Sequence, residues 1–184
     1  QNGDRAADYY VVHRLDKAAA GLLVLARDRQ TAGELSRQLT ENRLRKSYLC
    51  VVPGVPEPAS GEMQDLLYKD KMKQKMFPVK RKRAGVKEAS LTYRVLETQT
   101  SLALVEVELQ TGRFHQIRCQ FAARKLPLVG DGKYGSRVRS PHLALFCRTL
   151  SFYDPKEKKE LCFTAAPPAE FPWTAFSCAS DEAE

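Results

Sequence analysis

The 184-residue chain carries 30 Lys and Arg against 22 Asp and Glu, a net charge of +8 with a sequence pI near 9.3. That length suits one domain around one core, and 43% hydrophobic with 28% charged residues is the composition neither of a disordered tract nor of a membrane-embedded chain. Apolar runs such as Gly21 to Ala26 are too short to span a bilayer, and no secretory signal pattern opens the sequence. It starts at Gln1 without an initiator Met, and the expectation is a piece of a longer product.

In chain order, Tyr9 to His13 and Gly21 to Arg27 read as short strands, the second as a buried apolar run. Asp28 is placed to cap a helix reaching about Asn42, with Ala32, Leu35 and Leu39 on its apolar face. Lys46 to Val52 reads as a β-branched and aromatic strand stopped by Pro53-Gly54, and Glu62 to Tyr68 as another. Between Lys69 and Arg83 eight basic residues face the single acid Asp70, a local charge of +7 that leaves the remainder near neutral. Such a run is expected as a loop whose self-repulsion is relieved by an anion, the phosphate backbone being the usual one; a solvated loop that only aids solubility is the bland alternative. Met76 and Phe77 interrupt it with apolar side chains suited to stacking or wedging against bases.

Glu88 to Glu97 and Ser101 to Leu109 read as a hairpin, its second arm alternating Val105, Val107 and Leu109 with Glu106 and Glu108, one face buried and one wet. A helix of about three turns is expected from near Phe114, with Ile117, Phe121 and Arg124 on one side and Pro127 ending it. Strands follow at His142 to Phe152 and Glu160 to Thr164. Many strands with two helices imply an α+β domain on a mixed, mainly antiparallel sheet with flanking helices and loops. The domain is expected over residues 1–175, with an acidic, disordered tail over 176–184. Cys50, Cys119, Cys147, Cys162 and Cys178 are odd in number and form no CxxC pair, against a disulfide framework or a zinc ribbon. Cys50, Cys147 and Cys162 sit among apolar neighbours as buried hydrophobes do, which suits a reducing cytoplasm.

Three polar clusters break this regular pattern. His13-Arg14-Leu15-Asp16-Lys17 sets ionisable groups between two apolar strands, Thr111 to Arg118 joins a strand to a helix, and Pro127 to Gly135 is a glycine-rich loop. The loop lacks the phosphate-loop spacing, no GxGxxG follows a strand, and His13, His115 and His142 lie far apart without HExxH, so neither a nucleotide cofactor nor a metal is expected. Each cluster alone is more often structural: an Asp after a strand is usually a cap or a surface ion pair.

Together they resemble the RluA-type family of pseudouridine synthases. In that family H-R-L-D carries the catalytic aspartate, a K/R-x-Y strand follows, and T-G-R-x-H-Q-I-R leads to P-I/L-x-G-D-x-x-Y-G. Here these stand as His13 to Asp16, Lys46 to Tyr48, Thr111 to Arg118 and Pro127 to Gly135, in order over about residues 11 to 165. The resemblance implies the pseudouridine synthase catalytic fold and an RNA-modifying isomerase that flips a uridine of ribosomal or transfer RNA into a dry pocket. It assigns catalysis to Asp16, to Arg118 as its ion-pair partner, and to Tyr48 packed on the base and helping remove the C5 proton. Arg14, Arg113, His115 and Ile117 are expected to bind substrate, and Lys71, Lys73, Lys75, Lys80, Arg81, Lys82 and Arg83 to contact the RNA backbone.

No cofactor, membrane or obligatory protein partner is expected, and the protein is expected to be a cytoplasmic monomer. Two departures stand out. The family usually continues D-x-x-T-S-G, whereas this chain has Asp16-Lys17-Ala18-Ala19-Ala20-Gly21, and the upstream K-P-x-G element is missing. The rival readings are a catalytically silent RNA-binding or ribosome-assembly module on the same fold and a carboxylate hydrolase, the latter lacking paired acids.

Overall fold

The computed structural model of the protein describes residues 9–177. Its strands are β1 (Tyr10–Val11), β2 (Ala20–Gly21), β3 (Leu25–Ala26), β4 (Arg45–Pro53), β5 (Ser60–Asp70), β6 (Lys75–Val79), β7 (Val86–Gln99), β8 (Leu102–Leu109), β9 (Leu145–Asp154) and β10 (Lys159–Thr164). Two helices, α1 (Arg29–Thr40) and α2 (Gln116–Ala123), and 3-10 turns at Gly132–Tyr134 and Trp173–Ala175 complete it. One sheet runs β10-β9-β4-β8-β7-β5-β6, all antiparallel, while β2 pairs parallel with β9. The α+β class and the mixed, mainly antiparallel sheet are therefore as expected.

The hydropathy pattern explains the layers. Leu49, Cys50, Val51 and Val52 of β4 are all fully buried, as befits a central strand covered on both faces. On one face Ile117 and Phe121 of α2 pack with Tyr48, Met63, Leu91, Val105 and Val107; on the other Leu49, Val51, Leu104 and Phe146 pack with Trp173 and Phe176. The alternation expected in β8 holds from Val105 onwards, but Leu104 is fully buried against the second face. Phe176 is buried and Ser177 Oγ donates to Glu97, so packing continues two residues into the span expected to be tail; Ser180 to Glu184 and Cys178 lie outside the described residues.

Helix α1 starts where Asp28 predicted: its carboxylate accepts from the Thr31 N–H at 2.8 Å and from the Thr31 hydroxyl at 3.0 Å. Gln38, unremarked in the sequence, is buried and clamps the helix to β9 by exchanging two amide bonds with the Tyr153 backbone, 2.8 and 2.9 Å.

Four expectations need correction. Gly21 to Arg27 is not one buried strand: Gly21 takes φ +110°, outside the strand region, so β2 and β3 enter different sheets and Leu23 and Leu25 stay exposed. Helix α2 has 8 residues and stops four residues before Pro127, after which Lys125 turns left-handed at φ 62°. The Lys69 to Arg83 run is no loop but the β5–β6 hairpin, with Met76 buried beside Leu67 and Cys119 and so closed to bases. Cys162 is exposed on edge strand β10, where only one sheet face is covered, whereas Cys50, Cys119 and Cys147 are buried.

Candidate active site

Asp16 lies in the turn between β1 and β2, where its carbonyl accepts the Ala19 N–H at 2.9 Å. This turn is pinned from below. Gly21 pairs with Cys147 of β9 so closely that a Cβ there would sit 2.4 Å from the Cys147 carbonyl oxygen. Only glycine combines that approach with φ +110°. Strand β2 uses the edge of β9 just beyond Thr149, where β10 ends its pairing. A short sequence run is thereby held to the central sheet, and Asp16 with it.

From the opposite side comes α2. Its cap, His115, sits in the left-handed region at φ 48°, and the His115 backbone N–H donates to the Asp16 carboxylate. Arg118, one turn along, has its Nη1 3.7 Å from Asp16 Oδ2, while Nε and Nη2 form two 2.8 Å bonds to the two oxygens of Asp131. That fork-to-carboxylate geometry fixes the guanidinium plane. Nη1 also meets His115 Nε2 at 3.0 Å, and His115 Nδ1 meets the Tyr134 hydroxyl at 3.2 Å. Because Nε2 must accept from arginine, the ring is neutral with its proton on Nδ1. Burial, with Arg118 and Lys133 nearby, accordingly lowers the His115 pKa to about 4.

The electrostatics follow from this packing. Burial raises the pKa of Asp16, and Arg118 with the His115 N–H offsets part of the rise. Burial works against the charge of Arg118 as well, but the bonds and charge of Asp131 hold its pKa above the ordinary value. Tyr48, 6% exposed and hydrogen-bonded to the Cys147 thiol, is pushed well above its usual pKa by burial, with the charges of Cys147 and Asp16 adding to the shift. At neutral pH its phenol keeps its proton. Lys46, one strand turn before it, is pushed down by burial, and His13 falls to about 4 for the same reason, with Lys46 adding to it.

Asp16, Tyr48, Arg118 and His115 thus converge. Ile117 is 4% exposed and packs in the same core cluster as Tyr48 and Phe121. Arg14 is exposed beside Asp16, and Arg113 directs Nε to the Glu88 carbonyl at 2.9 Å. The basic residues divide. Lys71, Lys73, Lys80 and Arg81 are exposed, Lys82 pairs with Glu88, Arg83 lies over Tyr68 at 5.0 Å, and Lys75 turns inward over Tyr134 at 4.8 Å. The hairpin is tied to the acid cluster, since the Met76 N–H donates to the Tyr134 hydroxyl at 2.9 Å.

Asp131 and Tyr134 are the residues that sequence reasoning passed over. Their signal was present: the motif from Pro127 to Gly135 holds an acid at a fixed place, and a buried Arg118 requires such a partner. Among the described residues no three His, Cys, Asp or Glu side chains gather as metal ligands, and no helix is long and apolar enough to cross a membrane.

The model of the RNA pseudouridylate synthase family matches residues 1–123. The chain belongs to that family. Among its relatives are RNA pseudouridine synthase 2, chloroplastic, of Arabidopsis thaliana, 34% identical over 82% of this chain and 36% of its own length. Ribosomal large subunit pseudouridine synthase C of Buchnera aphidicola is 32% identical over 84% of this chain and 52% of its own. The chain therefore spans about half or less of these curated relatives. Among solved structures, human RNA pseudouridylate synthase domain containing 4 superposes with a TM-score of 0.73 at 26% identity, covering 87% of this chain and 72% of that one. The pseudouridine synthase family membership implied by the four motifs is thereby established.

Proposed function

We propose that the protein isomerises uridine to pseudouridine within RNA, with Asp16 as the reacting carboxylate. The reaction breaks the N1–C1′ bond, turns the detached uracil and joins C5 to C1′; the C5 proton leaves and N1 ends protonated, so nothing is consumed. The observation that carries this reading is the placement of a single, partly desolvated carboxylate against an arginine that a second acid holds rigid. Arg118 and the His115 N–H oppose the desolvation that favours the protonated acid, and they aim the Asp16 carboxyl for action at the C1′–C2′ side of the ribose. Tyr48, a protonated phenol, serves as a flat wall for the base rather than as a free base in its own right. Extruding the uridine costs a few kcal/mol of unstacking, which phosphate contacts from Arg14 and the exposed lysines of the β5–β6 hairpin offset. The name of the Buchnera relative points to the large ribosomal subunit, which favours ribosomal over transfer RNA as substrate.

The test is tritium release from [5-³H]uridine-labelled ribosomal and transfer RNA. The parent is expected to release tritium, and Asp16→Asn to release none while binding RNA within a few-fold of the parent. Intact binding without release by the parent would favour the silent RNA-binding module instead.

A further inference from the structure

Next to Asp16 opens a cleft of about 700 Å³ that shares only Arg118 and Asp131 with the chemistry above. Lys17, the chain neighbour of Asp16, and Arg118, its ion-pair partner, lie on its lining together with Ala18 to Ala20, Leu143, Phe146 and Trp173. Its volume is that of a site for a whole small ligand. The floor is apolar, with Leu143, Phe146 and Trp173 almost fully buried beneath it. The rim is cationic. Lys17 and Lys133 are exposed, and among the described residues neither reaches a carboxylate at ion-pair distance. The acids on the same lining face other lining residues: Asp131 is bound by Arg118, and Glu170 Oε1 lies 3.9 Å from His142 Nε2.

An apolar floor with aromatic rings, beneath two unpaired cations and sharing Arg118 with the reacting site, matches one nucleotide of the same strand. We propose that this cleft is a subsite for the nucleotide flanking the target uridine, with its base over Leu143 and Phe146 and its phosphate between Lys17 and Lys133. The proposal rests on the RNA reading given above. The Ala19–Ala20 pair, which stands where the family pattern has Thr-Ser, opens the subsite: two methyl groups face the cleft instead of a branched and a straight hydroxyl side chain. The wall cannot retreat to compensate, because Gly21 is locked against the Cys147 backbone. With the Trp173 indole N–H as the one side-chain donor on an otherwise apolar floor, the subsite selects mainly by stacked area, so it favours a purine over a pyrimidine.

The chain provides its own probe, since its single tryptophan, Trp173, lines the cleft. The full chain is titrated with adenosine 5′-monophosphate, uridine 5′-monophosphate and inorganic phosphate up to millimolar concentration, and tryptophan fluorescence is read. A saturable change is expected with the adenosine nucleotide, weaker with the uridine nucleotide and absent with phosphate. Lys17→Ala/Lys133→Ala should weaken it at least fivefold, and Ala19→Thr/Ala20→Ser, which narrows the cleft, should weaken it while near-ultraviolet circular dichroism stays that of the parent. No saturable change, equal competition by phosphate, or indifference to both pairs of substitutions overturns the subsite. Tritium release separates the two levels. A parent that turns over while Ala19→Thr/Ala20→Ser leaves KM for RNA unchanged sinks the subsite alone. A parent without turnover sinks the isomerase reading, whatever the tryptophan signal does.

Discussion

Replacing Asp131 isolates what holds Arg118 in place. The two side chains are 1% and 7% exposed and share two 2.8 Å bonds. Breaking a buried ion pair from one side leaves the other charge without a partner, at a cost of about 3–5 kcal/mol. Asp16, whose Oδ2 is 3.7 Å from Nη1, remains as a partial substitute. Asp131→Ala therefore belongs at the lower end, near about 3 kcal/mol, a large share of the roughly 5–15 kcal/mol that holds a domain together. Arg118→Met strips both acids of their counter-ion and should cost about as much. With both partners gone neither Asp131 nor Arg118 is left unpaired, and Asp16 lacks its counter-ion in both Arg118 variants alike, so the double variant should fall short of the summed losses by about 2 kcal/mol or more. The bond from the Tyr134 N–H to Asp131 Oδ1, 3.3 Å, is absent from both Asp131 variants and cancels in the cycle. Urea unfolding of the four proteins, compared at constant m, measures it. Additivity within about 0.5 kcal/mol would refute the claim that Asp131 and Arg118 act as one unit.

The remaining predictions use the same side chains. Tyr134→Phe keeps the ring but leaves the buried Met76 N–H without its acceptor; a loss of about 1–3 kcal/mol is expected, with faster hydrogen exchange at Met76, and unchanged exchange there would break the link between hairpin and acid cluster. Neutralising Lys71, Lys73 and Lys80 should reduce the slope of log K for RNA against log salt by about 0.7 for each phosphate no longer neutralised, whereas Lys82→Ala, already paired with Glu88, should leave it in place. Burial raises the pKa of Asp16, so the folded state binds its proton more tightly than the unfolded chain does. That contribution is complete below the ordinary aspartate value of about 3.9 and is lost as pH rises through the raised one. Asp16→Asn should consequently be more stable than the parent at pH near 7, with the gap closing towards about pH 4; a gap of the opposite sign would show that Arg118 outweighs desolvation.

Much of this protein is decided by local pattern. Asp28 caps α1 because an Asp before a helix satisfies a free N–H whatever the chain does elsewhere, and β8 alternates from Val105 because a half-covered antiparallel strand must. Asp16, Tyr48 and Arg118 are singled out for a different reason: they stand in motifs that resemble one family, and what the match over residues 1–123 shows is that family. Long-range packing decided the rest. Gly21 to Arg27 looks like one strand because its hydropathy is continuous, but the close approach of Gly21 to Cys147 breaks it in two and thereby fixes the turn that carries Asp16. The basic run looks like a loop because charge obscures the pairing of β5 with β6, and Met76 is buried only because Leu67 and Cys119 meet it there. Asp131 becomes the partner of Arg118 across thirteen residues of chain, since burying a guanidinium demands a carboxylate and only the folded chain shows which one arrives.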